Sequence, residues 1–205
     1  MINNEEFTEY RDRKYILERF PISNKSYNNR VTKLDLPEYS EFTRIVKFGK
    51  RLIHESVLKK LFLPERLPNQ NQPHQVKKWV KLNNWDYIGN FTPTDTDIRT
   101  NIELVMEFRK LLKKIDKKLT LFYSIERGTN INETYHTHFL IKSSVSLNRS
   151  EIWSNIKEND LLIEFLKKEH KTNSKFWFEP YDYKTFDDRG IEYTIKYDIK
   201  CGLLK

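Results

Sequence analysis

Three short segments of the chain hold side chains whose types and spacing are suited to chemistry. In Tyr135-His-Thr-His-Phe-Leu-Ile141, polar and apolar residues alternate. An extended strand sends successive side chains to opposite faces, so His136, His138 and Leu140 share one face while Thr137, Phe139 and Ile141 share the other. Burying the apolar set leaves two imidazoles projecting together, about 7 Å apart along the strand. In Leu119-Thr-Leu-Phe-Tyr-Ser-Ile-Glu126, the residues Leu119, Leu121, Tyr123 and Ile125 take the core face. Glu126 then falls on the open face, with the histidines. Two neutral imidazoles and a carboxylate make a mixed nitrogen and oxygen donor set with open positions. Such a set suits Mn2+ or Mg2+ acting as a Lewis acid better than a closed structural zinc site. Glu133, in the expected turn between the strands, is a substitute ligand.

The third segment is Ile191-Glu-Tyr-Thr-Ile-Lys-Tyr-Asp-Ile-Lys200. Read as a helix, it puts Ile191, Ile195 and Ile199 on one ridge and gathers Tyr193, Lys196, Tyr197 and Lys200 on roughly the opposite face. A phenol ionises near pH ~10, so neighbouring cations and a metal-polarised phosphate favour its phenolate. Each segment also has an ordinary reading: surface histidines, a strand-end carboxylate and a solvent-facing amphipathic helix.

The elements that must position these residues follow from hydrophobic period. The pattern gives strands over Tyr87–Thr94, Leu119–Glu126, Tyr135–Lys142 and Lys175–Tyr183. A long helix, capped by Asp95 or Asp97, carries the stripe Leu104, Val105, Phe108, Leu111, Leu112 and Ile115. A second helix runs from Asn148 or Ser150 to about Lys168, and the Tyr193 helix closes the chain. The order β-α-β-β-α-β-α implies an α+β fold, a ferredoxin- or RRM-like antiparallel sheet with helices on one face. Ahead of it, Phe42, Ile45, Val46, Leu52, Ile53 and Val57 recur at helical spacing, which predicts an amphipathic helix from Glu41 to about Phe62. The proline-rich run Pro64–Pro73 reads as a linker. We therefore divide the chain into a mainly helical accessory segment, 1–75, and a second domain, 76–205. The apolar stripe of the first is expected to dock on the second or on another protomer.

Composition narrows the partners. The 205 residues carry 37 Lys and Arg against 29 Asp and Glu, a net charge of +8 that favours a polyanion. The single cysteine, Cys201, excludes an internal disulfide and a cysteine zinc cluster and fits a reducing compartment. The acidic, polar amino terminus does not read as a secretory signal, and no apolar run approaches the ~20 residues that span a bilayer.

Taken in order, the segments resemble the HUH endonuclease superfamily, in particular rolling-circle replication initiators, over roughly Tyr87 to Lys200. Asn90-Phe-Thr-Pro-Thr94 is similar to the family's first strand motif, which implies Thr92 near the DNA. His136-Thr-His138 resembles its two-histidine metal motif, although the intervening residue is usually large and apolar and here is Thr137. Glu126 sits where a third ligand is often placed. Tyr193-Thr-Ile-Lys196 matches a Tyr-x-x-Lys motif, implying Tyr193 as nucleophile and Lys196 as its helper. With Tyr197 one turn on, the helix is similar to that of microvirus-type initiators, in which a second tyrosine serves a later strand transfer. The resemblance implies nicking of single-stranded DNA at an origin or hairpin, with a 5′-phosphotyrosine link, a free 3′-hydroxyl and later rejoining. Lys110, Lys113, Lys114, Lys117, Lys118 and Lys200 would hold the DNA backbone, and Trp79 and Trp85 are candidates either to stack exposed bases or to pack in the core. No Gly-x-x-x-x-Gly-Lys-Ser/Thr loop occurs, so a helicase would be a separate protein. The expected setting is a bacterial cytoplasm, or a host nucleus for a eukaryotic virus. The rivals are a non-catalytic RRM-like strand-binding module and an HUH transposase or relaxase.

Overall fold

The computed structural model describes residues 9–46, 49–93, 96–128, 135–166, 176–182, 189–195 and 200–205. The chain divides into two compact units, Met1–Asn83 and Asn84–Lys205. The division falls beyond the Gln75 position expected from composition. Its reason is the helix Pro73–Leu82, which is tied back into the first unit: Trp79 Nε1 donates to the Pro64 carbonyl at 2.7 Å, and Lys78 Nζ donates to that of Leu17 at 3.3 Å.

In chain order the first unit holds β1 (Tyr10–Arg11), α1 (Arg13–Arg19), α2 (Asn24–Val31), two 3-10 turns (Thr32–Asp35 and Pro37–Phe42), β2 (Thr43–Val46), β3 (Lys50–His54), α3 (Glu55–Phe62) and α4 (Pro73–Leu82). Its strands form an antiparallel sheet in the order β1-β3-β2. Helical residues outnumber strand residues in the segment expected to be mainly helical, but no helix runs from Glu41 to Phe62, which corrects that expectation. Gly49, at a φ of 69°, supplies the left-handed position that folds β2 back on β3, with Ile45 opposite Arg51. The apparent stripe was not one face, because Ile45 is left exposed while Ile53 is buried. Only the end of the run is helical. His54 Nδ1 accepts from Ser56 N to start α3, which buries Val57, Leu58, Leu61 and Phe62 in a cluster with Ile16, Phe20 and Tyr27.

The second unit contains β4 (Tyr87–Phe91), α5 (Ile98–Ile115), β5 (Thr120–Arg127), β6 (Tyr135–Lys142), α6 (Arg149–Lys157), α7 (Asp160–Leu166), β7 (Phe176–Pro180), α8 (Arg189–Thr194) and β8 (Lys200–Leu204). The five strands form an antiparallel sheet in the order β7-β4-β6-β5-β8. Asp97 caps α5 by accepting from Thr100 N at 2.7 Å, and the expected stripe is buried from Leu104 to Leu112. Helices α5, α6 and α7 pack on one face of the sheet, where Phe91, Phe108, Phe139 and Phe176 form an aromatic core. Phe139 lies across Gly89 on the neighbouring strand. A Cβ there would come within 2.4 Å of the ring and of the Trp177 carbonyl, so only glycine fits. The fold is thus α+β, with antiparallel sheets and its main helices to one side.

Two further helices differ from expectation. The one from Asn148 to Lys168 is broken: Asn159 caps a new helix, accepting from Leu162 N at 3.0 Å, so α6 and α7 are separate. The closing helix ends at Thr194, and Lys200 lies on β8 rather than beside Tyr193. The physical reason is β5, buried on both faces from Leu121 to Ile125. Its outer edge would leave buried backbone groups unpaired, and Leu203 and Gly202 supply the partners opposite Phe122 and Tyr123. Among the described residues no helix is long and apolar enough to cross a membrane.

Candidate active site

The register places one row of residues across the face of the sheet opposite α5. Trp177 on β7 stands beside Asn90 on β4, then His138 on β6, Ser124 on β5 and Cys201 on β8. Glu126 and His136 form the next cross-strand pair. Alternation therefore puts Glu126, His136 and His138 on one face, as the sequence pattern implies. That face is less open than expected, because Phe122, Leu140, Ser124 and Cys201 are all buried. Trp85 packs near Phe122, with ring centroids 6.2 Å apart.

Helix α8 lies against this face through Ile191 and Ile195, both buried. Gly190 lets it approach closely, since a Cβ would stand 3.0 Å from the Tyr181 hydroxyl and 3.3 Å from Ile88. Ile191 N donates to that hydroxyl at 3.2 Å, and Thr194 Oγ1 donates to the Gly190 carbonyl. The isoleucine side facing in turns Tyr193 outward, 56% exposed. Its ring still meets His138 edge to face, with centroids 4.9 Å apart. A cleft of about 440 Å³ opens there, lined by Asn90, His138, Trp177, Arg189 and Tyr193. The phenol, an imidazole and a guanidinium thus share one solvent-accessible hollow.

Glu126 and His138 are bonded to each other, with the imidazole Nε2 donating to Oε1 at 2.7 Å. Both are largely buried, with side-chain exposures of 13% and 5%. His136 Nδ1 is buried and has no hydrogen-bond partner among the described residues. Burial lowers the His136 pKa, the Glu126 carboxylate opposes the shift, and His138 adds to it, so the neutral imidazole is favoured. Neutral imidazole with an unpaired nitrogen, beside a second imidazole and a carboxylate, is a mixed donor set that Mn2+ accepts, whereas Mg2+ favours oxygen donors. The donor types fit. Among the described residues, however, no three His, Cys, Asp or Glu side chains are arranged to hold an ion. An ion taking all three must first replace the His138–Glu126 hydrogen bond, worth about 1.5–3 kcal/mol.

The remaining expected residues are not all brought to this place. Thr92 follows directly on β4 and is half-buried. Lys110, Lys113, Lys114 and Lys117 lie on or just after α5, on the other side of the sheet; Lys110 pairs with Glu107, and Lys113 donates to the Lys117 carbonyl. Lys200 is exposed at the start of β8. Lys196, Tyr197, Ile199 and Glu133 lie outside the described residues. Sequence reasoning missed Trp177 and Arg189 as lining, while Asn90 opens the Asn90–Thr94 segment singled out there. The signal for Trp177 was present: it alternates with Phe176 and Phe178, so a strand that buries both phenylalanines must turn the indole to the other face.

No model of a known protein family matches this sequence, and no curated protein does.

Proposed function

We propose that the second unit is a metal-dependent DNA endonuclease and strand transferase that uses Tyr193 as its nucleophile, the activity of a rolling-circle replication initiator. The observation that carries this reading is the exposed Tyr193 phenol set against His138, on the face that also holds Glu126 and His136. The strand order, a βαββαβ unit with one added edge strand, supports a ferredoxin-like relationship.

Arg189 and the rim of the cleft receive a phosphodiester of a single strand and set its phosphorus in line with the Tyr193 oxygen. The phenolic oxygen bonds to phosphorus and loses its proton to solvent. The bond from phosphorus to O3′ breaks, and O3′ takes up a proton to become a free hydroxyl. The phosphotyrosine retains the phosphoester, so a later hydroxyl can reverse the step and rejoin the strand. Lewis-acid chemistry at the phosphate comes from Mn2+ or Mg2+ when Glu126, His136 and His138 hold it. His138, beneath the Tyr193 ring, positions the phenol, held by Glu126 until an ion takes that carboxylate.

Incubation with single-stranded, hairpin-containing DNA and Mn2+ tests the reading by intact mass. A covalent protein–DNA adduct is expected from the natural sequence and none from Tyr193→Phe, which still binds the strand. An adduct from Tyr193→Phe overturns it.

One observation favours a second reading. The His138–Glu126 hydrogen bond is already satisfied without an ion, and the cleft offers Trp177 and Tyr193 as stacking surfaces. These features suit a non-catalytic strand-binding module. Tight strand binding with no adduct from the natural protein under any divalent ion would select it.

A further inference from the structure

Charge is divided unequally between the two units. The first 83 residues hold 17 Lys and Arg against 10 Asp and Glu, and residues 84–205 hold 20 against 19. The first unit therefore carries +7 of the net +8. Three of these 17 cations are paired across the fold: Arg11 with Glu55, Lys50 with Asp12 and Arg51 with Asp35.

One cluster is different. Arg30 at the end of α2, Lys33 in the 3-10 turn, Lys60 on α3 and Arg66 in the segment beyond it line a hollow of about 410 Å³, with Glu65 the one acidic residue among its lining. Among the described residues none of the four makes an ion pair. Two are held by neutral partners: Arg30 donates to the Leu61 carbonyl at 2.7 Å, and the Lys60 ammonium sits 5.1 Å over the Tyr39 ring. Lys33 and Arg66 are exposed. Two cations held by neutral partners and two exposed ones, drawn from four places along the chain, leave a charge of +3 after the Glu65 carboxylate is subtracted from four, more than one phosphodiester neutralises. They match a run of phosphates, since a nucleic-acid backbone repeats its charge every few ångströms.

We infer that the first unit is a nucleic-acid backbone clamp, with the Arg30–Lys33–Lys60–Arg66 hollow as its phosphate site. It reads charge and spacing rather than base sequence. It goes beyond the nicking reading and does not depend on it, because binding requires no cleavage.

The test uses the full chain in EDTA, with labelled 20-nucleotide single strands and 20-base-pair duplexes followed by anisotropy across a salt series. The Lys33→Gln, Arg66→Gln double variant alters two exposed side chains, and circular dichroism checks its fold. Loss of two phosphate contacts is expected to reduce the slope of log K against log salt by about 1.4 for the strand or about 1.8 for the duplex. Lys33→Arg should bind like the natural protein, and Arg149→Gln, Lys157→Gln, at exposed positions on α6, should change affinity less than twofold. The form bound more tightly identifies the source of the backbone. An unchanged slope in the Lys33/Arg66 variant, or an equal loss in the α6 variant, overturns the inference. So does binding of labelled polyglutamate but of neither nucleic acid, which would assign the hollow to an acidic protein.

Discussion

At the scale of single residues, the candidate site depends on Glu126 more than its plain position at a strand end suggests. Its carboxylate holds the buried imidazole of His138, and that imidazole meets the Tyr193 ring. Glu126→Gln keeps an acceptor for the His138 N–H but removes the negative charge an ion would use. We expect a change in stability below about 1 kcal/mol by thermal melting, with Mn2+-dependent adduct formation down at least roughly tenfold. Glu126→Ala should also lower the melting temperature, because a nearly buried N–H is left unpaired. The histidine pair and Glu126 were legible in the sequence, since strand alternation alone assigns a face. Their mutual bond was not, because it is a diagonal contact between strands and period says nothing of partners. Arg189 was not legible either: it precedes the isoleucine ridge, and nothing local marks it as lining a cleft.

At the scale of elements, two junctions deserve tests. Gly190 sets how closely α8 lies on β4, and Gly190→Val would push the helix off Ile88 and Tyr181. A destabilisation of about 1–3 kcal/mol in urea melts is expected, together with slower adduct formation at saturating DNA. Asp116 closes the turn after α5. Its burial opposes ionisation, but backbone N–H groups of Ser144 and Lys118 and the hydroxyls of Ser143 and Ser144 all donate to it, holding its pKa at about 2. A carboxylate depressed in the folded state contributes stability above its unfolded pKa and loses it as pH falls through the folded value. Between pH 5 and pH 2, the natural protein should lose about 2 kcal/mol more than Asp116→Asn. Helix α5 was legible because eighteen residues sustain one stripe behind a good cap. The 41–62 run was not, since a hairpin of short strands followed by a helix can imitate helical spacing. The fifth strand was hidden for another reason: Lys200–Leu204 has little pattern of its own and is called into the sheet by the needs of β5.

At the scale of the whole molecule, basic charge and candidate chemistry belong to different units. The second unit is nearly neutral by sequence, so its cleft offers a phosphate little long-range attraction. Raising salt from 50 to 300 mM should therefore weaken DNA capture by more than tenfold, while adduct formation at saturating DNA changes less than threefold. Single-turnover measurements at several DNA concentrations separate the two. Equal salt sensitivity of capture and chemistry would show that the cleft itself supplies the attraction.

Strands β7 and β8 occupy the two opposite edges of the sheet, and α8 lies between them in the chain, over its middle. Tyr193 thus belongs to a stretch of chain whose two ends are edge strands, each held by backbone pairing. Its height above His138 is set where Gly190, Ile191 and Ile195 seat α8 on the sheet. Loosening an edge strand should therefore shift the phenol without altering it. Removing Lys200–Lys205 takes away one edge strand, and we expect the Tyr193 ring signal in NMR spectra to lose its shift from the His138 face.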